Sequence, residues 1–350
     1  MKSNIIKKLL VLSICIPMIF TGCSSADVDN KNENQPNTEA KENENKEEDE
    51  TQATDEQFTI GIAQLVEHPA LDASRQGFID ELKNLGVKVT IEEKSAQGDV
   101  SNAKVIAEKF VKDDVDLIFS IATLTAQATK KAIEGTDIPM VFTAVTDPVY
   151  SQLVTAMDTT DNNITGVVDA APIKEDLQLF KDLKEDTKTI GIIYNTGESN
   201  SEVQVNQTTE IAKELGLTIE AVGITSVNDI AQAVDTISKK ADGLYIITDN
   251  LVASSISLVA NLAQEKNLIT ISADGTHVDE GIMVSKGISY YGIGKQSAVI
   301  AKQILIDKVK VEDIPVQAAP EFDKRVNVKV AEALGFTKDN KAFEDAEFVE

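Results

Sequence analysis

Apolar positions along the chain fall into short β-favouring runs separated by longer amphipathic stretches. The first run, FTIGIAQL at 58–65, predicts a strand, and 66–69 a turn. Over 70–85 the positions Leu71, Phe78, Leu82 and Leu85 return on one helical face, and Gly86 closes the helix. Strands at 87–91 and 115–120 flank a helix that Asp99 or Ser101 can cap and that runs to about Val111. A helix from Thr123 to about Ile133 leads to a strand at 138–145, which ends in Thr146-Asp147-Pro148. Strands alternating with helices of this length predict a parallel sheet covered on both faces.

After a transition through 163–168 the order restarts with TKTIGIIY at 187–194. Ile60-Gly61-Ile62 and Ile190-Gly191-Ile192 lie 130 residues apart, and Leu85-Gly86-Val87 and Leu215-Gly216-Leu217 keep that offset. A strand-to-helix junction, DLIFSIATLTAQAT at 116–129, has its counterpart in DGLYIITDNLVASS at 242–255, where a helix from about Leu251 to Glu265 begins. A repeat this long predicts a duplicated domain. The fold expected is α/β, with two similar doubly wound parallel-sheet lobes. A late strand at 281–286, a long helix at 289–307 and an extended segment at 319–330 add two or three crossings between lobes, which is a hinge. The organisation expected is 58–168 plus about 288–312 for one lobe, and 169–287 plus about 313–350 for the other.

The N-terminus changes the picture of where the chain works. Lys2, Lys7 and Lys8 precede an apolar run at 9–20 that is too short to span a bilayer comfortably, and Phe20-Thr21-Gly22-Cys23 follows. This predicts a signal peptide over 1–22 and, since the last four residues resemble a bacterial lipobox, lipidation at Cys23. Residues 24–57 carry twelve acidic and three basic residues with scarcely an apolar one, the composition of a solvated tether. With +3 on the leader and −9 on the tether, −19 of the chain's −25 falls on the body, which disfavours nucleic acid and anionic lipid head groups as partners. Cys15 leaves with the leader, so a lipidated Cys23 leaves the body without a thiol for disulfide, nucleophile or metal.

In doubly wound sheets ligands sit beyond the C-terminal strand ends. The first half places Gln64, Glu67, His68, Ala122, Thr123, Thr125, Thr146 and Asp147 there. The second places Asn195, Glu198, Ser199, Asn200, Thr248, Asp249, Asn250 and Asp274. These are hydroxyls, amides and carboxylates without Arg or Lys, a set that repels a plain anion and suits a zwitterion. A carboxylate would take hydroxyl and N–H bonds at Thr123 and Thr125, where a helix begins. Asp274, Asp249 and Glu198 all remain open as the partner of an ammonium. Leu65, Leu71, Leu124 and Leu251 are apolar positions near the strand ends, available to a ring. His68 and His277 are the only histidines, so no metal site is expected, and no nucleophile stands beside Glu67-His68 to suggest an enzyme. No cofactor is expected. The absence of Trp disfavours sugars.

The phrases QLVEHPALDASRQGF, FTAVTDPV, ITGVVD, IIYNTGESNS, IITDNLVAS and YYGIGKQSA, with the lipobox and acidic tether, resemble the solute-binding lipoproteins of ABC transporters that include tryptophan and tyrosine binders. The likeness runs from Phe58 to Phe336. It implies a type I periplasmic-binding fold that closes on a small solute, often an aromatic amino acid, and hands it to a permease and an ATPase. It also implies that His68 lines the cleft. The alternatives are a nucleoside or short-peptide solute, an adhesion or scaffold lipoprotein with an external surface partner, and a ligand-reporting module.

Overall fold

The computed structural model describes residues 56–158 and 162–350, so the leader, Cys23 and most of the acidic tether lie outside the described residues. Among the described residues no helix is long and apolar enough to cross a membrane.

The first lobe runs β1 (Phe58–Gln64), α1 (Pro69–Asn84), β2 (Val89–Ser95), α2 (Val100–Lys112), β3 (Leu117–Ile121), α3 (Thr123–Ala132), β4 (Met140–Val145) and β5 (Ile164–Val168). Its sheet is parallel throughout in the order β2-β1-β3-β4-β5. The three strands β3, β4 and β5 are buried along their whole length, as expected of a sheet covered on both faces.

The second lobe repeats the plan with α4 (Ile173–Leu183), β6 (Thr189–Asn195), α5 (Ser199–Glu214), β7 (Thr218–Ile224), α6 (Ile230–Ser238), β8 (Gly243–Ile246), α7 (Asn250–Ala253), α8 (Ile256–Glu265), β9 (Ile269–Asp274) and β10 (Val284–Ile288). Then come α9 (Tyr290–Leu305), β11 (Phe322–Asn327), α10 (Val328–Ala333) and β12 (Glu347–Val349). The second sheet is ordered β12-β11-β10-β9-β8-β6-β7, with β11 antiparallel to β10. The helix expected from Leu251 to Glu265 is broken in two at Ser254 and Ser255, and the segment expected to be extended to Val330 turns helical from Val328, where Asn327 caps it.

The duplication is physical as well as sequential. β1 lies between β2 and β3, and β6 between β7 and β8. At matching positions Gly61 leaves room for the Phe110 ring of α2, and Gly191 for Ile237 of α6. Gly86 and Gly216 follow α1 and α5, the helices after β1 and β6, at φ +70° and +68°, which glycine adopts without steric cost. Asp116 accepts the Thr59 N–H, and Asp242 accepts the N–H groups of Lys188 and Thr189.

Three strands of chain pass between the lobes: from β5 to α4, from β10 to α9, and from Gln317, bridged to Val167, to β11. The late helix α9 packs on α1. A Cβ on Gly77 would lie 2.2 Å from the Tyr291 carbonyl oxygen, and one on Gly294 would lie 2.0 Å from that of Ser74, so the two backbones touch where both residues lack a side chain.

Candidate functional site

The strand ends of both lobes face one cavity. It is lined from the first lobe by His68, Leu71 and Ala144, from the crossings by Asp169 and Tyr290, and from the second lobe by Asn200, Thr248, Asp249, Asn250, Ala253, Asp274 and His277. Its volume is about 10 Å³, room for about one water, so with the lobes in contact it is far smaller than the roughly 300–1,000 Å³ of ligand pockets.

The lobes meet directly around it. His68 Nε2 lies 3.4 Å from Asn250 Oδ1, and the Thr146 and Thr248 hydroxyls are 3.2 Å apart. Gln204 Nε2 also donates to Thr146 Oγ1 at 3.4 Å. The second-lobe wall is a dense hydrogen-bond network centred on two acids. Glu198 Oε1 accepts from Asn195 Nδ2 and the Leu251 N–H, and Oε2 from Asn200 Nδ2 and from both nitrogens of Asn250. Asp249 Oδ1 accepts the Val252 N–H, and Oδ2 the Asn195 N–H and the Ser201 hydroxyl. Both acids are therefore engaged in capping α7 and joining loops. Burial and the neighbouring Glu198 nevertheless push the Asp249 carboxyl up to about 7.

The other acids stand differently. Asp274 Oδ1 accepts from the N–H and hydroxyl of Thr276, while Oδ2 lies 3.2 Å from His277 Nε2 but off the hydrogen-bond direction. Asp169, at the end of β5, accepts the Tyr290 hydroxyl at 2.9 Å through Oδ2, and its Oδ1 is buried without a partner. Burial pushes the Asp169 carboxyl up to about 6, against the opposing pull of the Tyr290 hydrogen bond and the nearby Thr146 hydroxyl. Burial also lowers both His68 and His277, favouring neutral imidazoles.

The remaining strand-end residues do not line the cavity. Gln64 donates to Asp72 and the Val66 carbonyl, and Glu67 is exposed. Asp147 accepts the N–H groups of Val149 and Tyr150, shaping its own turn, and Asn195 and Glu198 sit behind the wall they brace. Thr125 bonds back to the carbonyls of Ile121 and Ala122. Thr123 Oγ1 and Ser199 Oγ are buried without partners. Ala122, before α3, holds φ +82° and ψ 157°, and Ala144, in the cavity wall, holds φ +54°. Such conformations cost a side-chain-bearing residue of order 1–3 kcal/mol and gather at binding sites. The cavity residues not among the strand-end candidates are Asp169, Tyr290, His277, Ala144 and Ala253, with Leu71 foreseen only as an apolar neighbour.

A family model described as ABC transporter substrate binding protein matches residues 59–349. The chain belongs to that family. This substrate-binding protein is 35% identical over 341 residues, 96% of its length and 94% of the relative's, to a tyrosine-binding protein of Clostridioides difficile (strain R20291). Among solved structures, an ABC domain of Streptococcus pneumonia in complex with L-Trp matches with a TM-score of 0.78 at 31% identity, covering 83% of this chain and 100% of that one. A ligand-free, open substrate-binding protein with adhesive properties from Clostridium difficile matches with a TM-score of 0.66 at 39% identity, covering 84% and 99%. The structure with the higher identity thus superposes less well. That structure is the open, ligand-free one, whereas the better-superposing one holds L-Trp. The substrate-binding protein described here has its lobes in contact, as a closed state requires.

Proposed function

We propose that this substrate-binding protein captures an amino acid with an aromatic side chain, tyrosine foremost, between its lobes and presents it to the permease of an ABC importer. One observation carries this reading: of the four buried lining atoms without partners, three, Asp169 Oδ1, Asn200 Oδ1 and His68 Nδ1, are positioned as acceptors, and the fourth, His277 Nε2, lies beside Asp274. Three acceptors around a small closed space match an ammonium and one further donor on the solute. Asp169 and Asp274 receive the ammonium, because Glu198 and Asp249 already have their oxygens filled. The backbone N–H groups opening α3 and the partnerless Thr123 hydroxyl receive the carboxylate when the lobes open and reclose. Leu71 and Ala253 provide apolar walls for the ring. The relatives' tyrosine and L-Trp ligands agree with this set.

In this proposal the two lobes are 58–168 with about 288–312 and 169–287 with about 313–350, hinged at the three crossings. Cys23 carries lipid after removal of 1–22, tying the protein to the outer face of the cell membrane, and an ATPase drives uptake without any reaction at the cavity. A thermal-shift screen against the twenty amino acids tests the ligand class, since a solute that binds only the folded state raises the melting point. Tyr, Trp and Phe giving no shift would sink the aromatic reading. A second role, attachment to an external partner, is favoured by the 39% identical protein with adhesive properties. Attachment that survives Asp169→Asn while solute binding falls would separate that role from transport.

A further inference from the structure

The polar network of the closed cavity fixes the hydrogen positions of one residue that faces the solute. Asn250 Nδ2 lies 2.6 Å from Glu198 Oε2, so the amide must point its N–H there, since the flipped amide would set a carbonyl oxygen against a carboxylate. Asn250 Oδ1 therefore faces His68, 3.4 Å from Nε2, and an acceptor on that side requires Nε2 to carry the proton. In a neutral imidazole the other nitrogen is then a bare lone pair. That nitrogen, Nδ1, is buried and without a partner in a residue only 6% exposed. Burial lowers the tendency of the ring to take a second proton.

The place of His68 beside the apolar walls gives this lone pair meaning. His68 precedes Leu71 by one turn at the start of α1, and Asn250 precedes Ala253 by one turn of α7. The two helix starts face each other, so the His68 and Asn250 contact adjoins the apolar pair Leu71 and Ala253. The acids free to take an ammonium, Asp169 and Asp274, come instead from the ends of β5 and β9.

We propose that His68 Nδ1 is the specificity-determining acceptor of this site, taking a hydrogen bond from a donor on the solute's ring, a phenol O–H or an indole N–H. The inference rests on the aromatic amino-acid reading above. It makes the site discriminate against phenylalanine, whose ring leaves the lone pair buried and unmatched, a mismatch that costs roughly 10- to 100-fold in affinity.

The test is calorimetry with tyrosine and phenylalanine on the unmodified protein, His68→Leu and His68→Gln. His68 makes no side-chain cap to α1, so neither substitution removes a helix cap, and a thermal melt checks folding. The unmodified protein is expected to prefer tyrosine by at least about tenfold. His68→Leu also loses the Asn250 contact and so weakens both solutes, but its tyrosine-to-phenylalanine ratio should fall by that factor, and His68→Gln, whose amide oxygen is an acceptor, should restore part of the preference. Equal affinities for the two solutes in the unmodified protein, or equal losses for both in His68→Leu, would overturn the role of His68 while leaving the aromatic reading intact. No binding of either solute, or of tryptophan, would overturn both.

Discussion

Replacing Asp169 by asparagine is the sharpest perturbation of the proposed site. The substitution keeps the shape and an oxygen that can still accept the Tyr290 hydroxyl, now at 2.9 Å from Asp169 Oδ2, and removes only the charge. A charge-assisted bond to an ammonium in a closed cavity is worth about 2–3 kcal/mol, so tyrosine affinity at pH 7.5 should fall roughly 30- to 150-fold. The pH dependence follows from the free carboxyl, which burial holds at about 6. An ammonium needs the ionised form, so binding is full above that value and weakens as pH falls through it, by about tenfold at pH 5. Isothermal calorimetry at pH 7.5 and 5, in buffers of different ionisation enthalpy, measures both the affinity and the proton released near pH 6. In Asp169→Asn that proton release should vanish. Folding serves as a control with its own sign. A carboxyl with a raised folded pKa contributes stability that is present below its unfolded value of 3.8 and lost as pH rises through about 6. The variant should therefore melt no lower than the unmodified protein at pH 7.5. Undiminished tyrosine binding by Asp169→Asn at pH 7.5, or equal unmodified affinities at pH 5 and 7.5, would refute the pairing of Asp169 with an ammonium.

Asp176 offers a parallel test away from the cavity: it is buried, accepts the Tyr245 hydroxyl at 2.9 Å, and burial raises its carboxyl well above the usual range. Asp176→Asn should leave tyrosine binding unchanged and raise the melting point more at pH 8 than at pH 5, since the stability lost to the buried acid accumulates as pH rises from its unfolded value of 3.8 towards its raised folded pKa. Gly77→Val places a side chain against the Tyr291 carbonyl, at 2.2 Å for its first carbon, and should lower stability in a denaturant melt by about 3 kcal/mol or more. Thr146→Val together with Asn250→Ala removes direct hydrogen-bond partners between the lobes, and small-angle scattering of the solute-free protein should show a larger radius of gyration than the unmodified chain. Cys23→Ser should move the protein from the membrane to the soluble fraction.

Much of the fold was legible because it is periodic. The offset of 130 between Ile60-Gly61-Ile62 and Ile190-Gly191-Ile192 marks two strands with the same neighbours, each giving up a side chain so that a helix can approach. The site was legible only in outline. Asp169 escaped because 163–168 reads as a transition between halves, whereas it forms β5, and the residue after it sits at a strand end like the others. His277 was weighed only as a metal ligand, yet a 3-10 turn after β9 folds it back to the cavity. Glu198 and Asp249 read equally well as ligands for an ammonium. What separates them from Asp169 is the number of N–H groups that converge on their oxygens, a property of the folded loops that no spacing along the chain encodes.

The contact of α9 with α1 at Gly77 and Gly294 bears on how such a protein changes its cargo. His68 precedes α1 and Tyr290 opens α9, so a backbone junction with no adjustable side chains sets the spacing of two cavity groups from opposite ends of the sequence. The first-lobe face is in effect a fixed gauge. Variation that retunes the solute is then confined to single side chains on that gauge, or to the loops at 195–200 and 248–253 opposite, where side-chain hydrogen bonds can be exchanged one at a time.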